Sequence, residues 1–159
     1  DRKEVIPMTY EEKVQWLRRY QDCLRREREL AEELEQLHTR ACKVTPALTG
    51  MPGGPNDGQS LPRAVESIVQ AQQELQAQIN QCRYIRREVV AALEQVTNAR
   101  DHEILRRRYL LNQKWEQIAV EIYYSYKQVR RRHRACVESL CLEGKDIAVP
   151  AKDVLQCPI

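Results

Sequence analysis

Residues 114–142 read KWEQIAVEIYYSYKQVRRRHRACVESLCL, and the reading of this stretch decides the fold. Trp115, Ile118, Ala119 and Ile122 recur at helical spacing and then stop near Tyr124. Ser125 stands where a helix N-cap would, ahead of a second run whose apolar face is Val129, His133 or Cys136, Val137 and Leu140. Two short helices crossing steeply need a small residue at their contact. Ala119 meets that need, and Val129 packs against it ten residues later. The spacing predicts a helix-turn-helix, with the second helix as the groove-reading one. Where many such turns carry Gly, this chain has Tyr123; a bulky residue there predicts an uncomfortable backbone angle or a turn built differently.

Working outward, Asn98-x-x-Asp101 predicts a cap for a short helix bearing Ile104, Leu105, Tyr109 and Leu110, with a turn at 111–113. Ile118, Ile122, Val137, Trp115, Leu105 and Tyr109 are then the expected core of a compact three-helix module over 98–142. The charge of this module is uneven. Ten bases (Arg100, Arg106, Arg107, Arg108, Lys114, Lys127, Arg130, Arg131, Arg132, Arg134) face five acids (Asp101, Glu103, Glu116, Glu121, Glu138), whereas bases and acids balance from Asp1 to Lys43. A short basic excess of this kind suits a polyanion partner.

Further upstream the sequence is that of an elongated helical arm over 1–97. Thr9-x-x-Glu12 is a capping box, followed by Val14, Leu17, Tyr20 and Leu24, then Leu30, Leu34, Leu37 and Ala41. The all-charged stretch Arg25–Glu29 interrupts that stripe, and the helix is expected to run to about Lys43. Gly and Pro between Pro46 and Gly58 predict a loop over 44–60; without Gly-Lys-Ser/Thr and flanking strands it is no nucleotide site. A second long helix starts near Ser60 or Leu61, its stripe Leu61, Val65, Ile68, Gln72, Leu75, Ile79, Cys82, Val89, Leu93 and Val96, with Ile85 or Arg86 filling the step after Cys82. Such a stripe predicts either an antiparallel hairpin with the first helix or a coiled coil between chains. Gln72 falls on a core position and could set register. Residues 143–159, with Pro150 and Pro158, are expected to form an irregular tail.

The fold expected is therefore all-α: a long helical hairpin or coiled coil, then a three-helix helix-turn-helix module. On its second helix the residues left over from packing are Ser125, Tyr126, Lys127, Gln128, Arg130, Arg131 and Arg134. Arg forks onto guanine and Gln onto adenine in the major groove. Lys and the remaining Arg residues suit phosphates, which set affinity and register without reading sequence. Double-stranded DNA is the expected partner.

No enzyme, cofactor or metal is expected. His38, His102 and His133 lack the neighbours that a nucleophile or zinc site requires, and His102-Glu103 has no second His at metalloprotease spacing. The six cysteines (Cys23, Cys42, Cys82, Cys136, Cys141, Cys157) include no C-x-x-C pair and read as reduced small hydrophobes. No signal-peptide pattern and no apolar run of membrane-spanning length is legible, so a cytoplasmic protein with no membrane partner is expected. The chain opens at Asp1 rather than Met, as a trimmed or partial chain would.

The stretch Asp101–Leu110, the run Trp115–Ala119, and Tyr124, Ser125, Val129 and His133 together resemble the fourth conserved region of bacterial sigma factors. More closely the chain resembles phage regulators of the RinA and ArpU type, and the Pro/Gly loop at 49–54 ahead of a coiled segment extends a weaker likeness upstream. The resemblance implies a phage or prophage protein in a bacterial host that controls late genes by binding promoter DNA, with bacterial RNA polymerase as a possible second partner. Homo-oligomerisation through the arm would place two modules on two half-sites. A DNA-recognition subunit of a packaging machine (small-terminase-like) and a sigma-like adaptor docked on polymerase are the alternatives from other classes.

Overall fold

In the computed structural model, residues 7–44 and 59–142 are described. They form five helices: α1 (Tyr10–Val44), α2 (Ser60–Leu93), α3 (Ala99–Tyr109), α4 (Trp115–Glu121) and α5 (Tyr126–Ser139). No strand occurs among the described residues, as the all-α reading expects. The tail over 143–159, with Cys157, and almost all of the loop over 44–60 lie outside the described residues.

Local chemistry starts each helix. The Thr9 backbone N–H donates to Glu12 Oε2 at 2.7 Å and the Glu12 N–H donates to Thr9 Oγ1 at 3.3 Å, closing the capping box on α1. α2 begins at Ser60 and takes Pro62 in its first turn, where a missing N–H costs nothing. Asn98 Oδ1 accepts from the N–H groups of Arg100 and Asp101 and so caps α3. To reach that extended cap geometry the chain leaves α2 at Leu93, so Val96 packs on the core from the connection rather than from the helix.

α1 and α2 pack side by side, and their contacts run in opposite directions. Arg19 Nη2 meets Glu88 Oε2 at 2.8 Å, and further along α1 Cys23 Sγ lies 2.8 Å from Cys82 Sγ, while the Gln78 amide donates to the Cys23 carbonyl. Burial first, and Cys23 second, push the Cys82 thiol up. Around this point Leu17, Trp16, Cys23, Cys82, Ile85, Val89, Ala92 and Leu93 form a core that also takes in Leu105 and Tyr109 from α3 and Cys136, Val137 and Leu140 from α5. Each buried Leu, Ile or Val among them contributes on the order of 1.5–3 kcal/mol by leaving water.

A second, smaller core holds Ile104, Ile118, Ala119, Ile122 and Val129, with Trp115 and Tyr124 against it. Ala119 and Val129 share it, as their spacing predicts. The single module core expected from sequence is instead divided. α3 turns Ile104 one way and Leu105 and Tyr109 the other; α5 gives Val129 to the small core and its second half to the α1–α2 core. Both His133 and Cys136 are buried, where the sequence left a choice between them.

Away from the large core the expected seam on α2 changes. Leu61, Val65 and Gln72 are exposed, and Ala64 and Ala71 are half-buried in their place, beside the expected Ile68 and Leu75. Ile85, not Arg86, fills the step after Cys82. The reason is periodicity: a heptad stripe drifts by about 20° per repeat on a straight α-helix, while Ala64 lies about five whole turns before Cys82.

Candidate nucleic-acid interface

α4 and α5 are joined through 122–125, and the joint is a complete helix-ending motif. The Tyr124 N–H donates to the Ala119 carbonyl at 3.0 Å and the Tyr123 N–H to that of Val120 at 3.3 Å. This is the Schellman pattern, which needs a left-handed residue at its pivot. The pivot is Tyr123, at φ 58° and 91 % exposed, so the turn keeps its usual geometry and the Tyr takes the backbone angle that Gly ordinarily would. Asn112, at φ 54° in the turn after α3, is a residue type that tolerates this region.

The seven residues singled out by sequence do not all do the same thing. Ser125 and Gln128 build the start of α5: the Gln128 N–H donates to Ser125 Oγ at 3.2 Å, and the Ser125 N–H donates back to Gln128 Oε1 at 2.9 Å. The Gln128 carboxamide oxygen is thus engaged locally. Lys127 and Arg131 are exposed, and among the described residues neither has a carboxylate within 4.0 Å. Tyr126 is exposed and lies under Arg130, which also sits over Trp115 with its guanidinium carbon 5.0 Å from the ring centroid. Arg134 pairs with Glu138 at 3.0 Å and covers Tyr10 of α1.

The remaining charges of the region sort themselves behind this face. Arg107 bridges Glu103 and Glu121, Arg106 also reaches Glu103, and Arg132 pairs with Asp101 at 2.6 Å, a bond that raises its pKa. Arg100 donates to the Ile122 carbonyl. Four of the five acids are therefore ion-paired, Asp101 and Glu121 between helices and Glu103 and Glu138 within one, and the bases with no carboxylate within 4.0 Å among the described residues are Arg100, Arg108, Lys114, Lys127, Arg130 and Arg131. Sequence counting found the excess without separating these residues from their neighbours. An i,i+4 Glu–Arg pair is legible in sequence; Asp101–Arg132, from two helices, is not.

His133 fixes α5 against three other helices. Its Nε2 lies 2.8 Å from the Tyr109 hydroxyl and its Nδ1 3.5 Å from that of Tyr10, and the Trp115 ring packs edge-on at 4.6 Å. A neutral imidazole offers one donor and one acceptor, which suits two hydroxyls. Burial above all, then the charges of Arg130, Arg108 and Arg18, lower its pKa to about 4. Burial likewise raises the Tyr109 hydroxyl. Lys13 Nζ donates to the Glu138 carbonyl at 2.7 Å and completes the α1–α5 contact.

Among the described residues no group of three or more His, Cys, Asp or Glu is placed to hold a metal ion, and no helix is long and apolar enough to cross a membrane. Comparison with known proteins finds no matching family model, no matching curated protein and no matching solved structure.

Proposed function

We propose that the chain is a sequence-specific double-stranded DNA-binding regulator, in which α4 and α5 act as a helix-turn-helix on the end of an α1–α2 helical hairpin and α5 enters the major groove. One observation carries this reading. The outward face of α5 bears Lys127, Arg130 and Arg131 with no carboxylate paired to them, while four of the five acids of the same region are drawn into ion pairs with other arginines. A merely solvated basic face would be expected to share its acids. Tyr126, Lys127, Arg130 and Arg131 form the reading and phosphate-contacting set, Arg134 flanks it, and Ser125 and Gln128 set the angle at which α5 is presented. The likeness to sigma-type modules and to RinA and ArpU regulators supports control of phage promoters.

The test is selection of bound duplexes from a randomised pool at near-physiological salt. An enriched motif is expected, and Arg131→Ala should weaken binding to it by about 1–3 kcal/mol, roughly 5- to 150-fold, relaxing the preference at one position. Recovery of no motif overturns the reading.

Val120 and Tyr123, 75 % and 91 % exposed at the end of α4, favour a second reading as an adaptor whose module docks on RNA polymerase. It predicts polymerase capture that survives Arg131→Ala and is lost in Val120→Asp. The exposed Leu61, Val65 and Val69 of α2 are where a second copy would pair in a dimer or in a packaging-type ring. Light scattering separates these: a ring supports the packaging subunit, a monomer or dimer the regulator.

A further inference from the structure

Trp115, at the start of α4, has two guanidinium groups on its ring. Arg108 of α3 places its guanidinium carbon 4.6 Å from the centroid and Arg130 of α5 places its own at 5.0 Å. A third cation approaches from α1. The Gln21 side-chain amide donates to the Arg108 carbonyl, and Arg18 lies one turn earlier on the same face of α1. The three charges act on one another and on common neighbours: Arg108 has its pKa lowered by burial first, then by Arg18, and by Arg130.

Little opposes them. Arg108 donates to the Gln113 carbonyl at 2.9 Å, and Glu116 is a carboxylate near enough to bear on it. Among the described residues none of the three arginines has an ion pair within 4.0 Å. Two guanidinium groups on one indole, with the Arg18 charge acting on the first of them, repel, and the repulsion is relieved by an anion with several acceptor oxygens. Guanidinium forks match phosphate oxygens, and stacking on Trp115 holds two of them in place in advance.

We propose that Arg18, Arg108 and Arg130 around Trp115 form a binding site for a backbone phosphate of duplex DNA, so that α1 contributes a contact from outside the helix-turn-helix. The site rests on the DNA-binding reading and extends its footprint. Arg130 joins the two, since it belongs to both the α5 face and the indole cluster. Gripping the backbone beside the groove sets the register of α5 on the duplex and carries no base information.

The experiment measures affinity of the full chain for its selected duplex and for a scrambled duplex of equal length across a salt series. It compares the parent with Arg18→Ala, Arg18→Lys and Arg131→Ala. Arg18 is exposed, so its removal leaves the core untouched. Arg18→Ala should weaken both duplexes by the same factor, roughly 3- to 10-fold, and reduce the slope of log K against log salt by about one; Arg18→Lys should keep the slope. Inorganic phosphate at millimolar concentration should leave duplex binding unchanged beyond its ionic-strength effect; specific competition that Arg18→Ala abolishes would mean a site for free phosphate and overturn the assignment to DNA. Unchanged slope and affinities in Arg18→Ala, with Arg131→Ala still weakening the selected duplex, would overturn the phosphate site and leave the DNA reading standing. A parent that binds neither duplex overturns both.

Discussion

The two halves of the α1–α2 pair use similar residues and reach different ends. Near Cys23 and Cys82 the facing side chains are buried, because α3 and α5 close over them as a third layer. Beyond Leu30 on α1 and before Cys82 on α2, Leu34, Leu37, Ile68, Leu75 and Ile79 are half-buried, and Leu61, Val65 and Val69 stand open. Two helices side by side cover only part of each other's apolar stripe. Pattern alone does not make a core; the layer on top does.

The sharpest way to break that comparison is to truncate one leucine in each half. Leu17→Ala, at a fully buried position, should cost about 2–5 kcal/mol in urea denaturation, whereas Leu34→Ala should cost less than about 1 kcal/mol. A large cost at Leu34 would mean that the far half is covered in solution, and a second copy would become the occupant to look for.

A second test sharpens what holds the near end shut. His133 has a folded-state pKa of about 4 against an ordinary value of 6.5. Between these values the unfolded chain takes up a proton that the folded chain refuses. Stability from this group is therefore complete above about pH 6.5, falls as the pH drops towards 4, and levels off below. The loss should reach up to about 3 kcal/mol. Unfolding midpoints followed from pH 7 to pH 4 should fall less steeply in His133→Asn than in the parent; parallel curves would remove His133 from the account.

The smallest effect concerns the backbone rather than the packing. Tyr123→Gly relieves a left-handed Tyr but loosens the unfolded chain, so the net gain should be under about 1 kcal/mol, read as a small rise in melting temperature. A loss of stability instead would show that the freedom Gly adds to the unfolded chain outweighs the relief of the left-handed angle.

Much of this was legible in advance wherever a few neighbouring residues decide the outcome. The capping box at Thr9, the Asn98 cap and the strain at Tyr123 are each set within four residues. Gln72, Leu61 and Val65 were misplaced because a heptad and a straight helix part company over three repeats. The division of the module core was hidden for another reason: one face of α3 and half of α5 are completed by side chains some ninety to one hundred and twenty positions away, such as Trp16 and Leu17. At the candidate interface composition showed the excess of Arg, but which arginines are bound by acids depends on pairs such as Asp101 with Arg132, which no spacing rule links. The role of Gln128 was a local signal overlooked, since Ser125-x-x-Gln128 is itself a capping box.

The length of α1 has a mechanical consequence. From Cys23 to Val44 a straight helix spans about 32 Å. With its fulcrum in the large core, the pair is a lever. A tilt of about 10°, small enough for side chains around Leu17 to follow, carries the ends at Val44 and Ser60 through about 5 Å. A tilt at the base would thus be amplified at the tip, and a distance probe placed there would register a shift of α3 and α5 too slight to see directly.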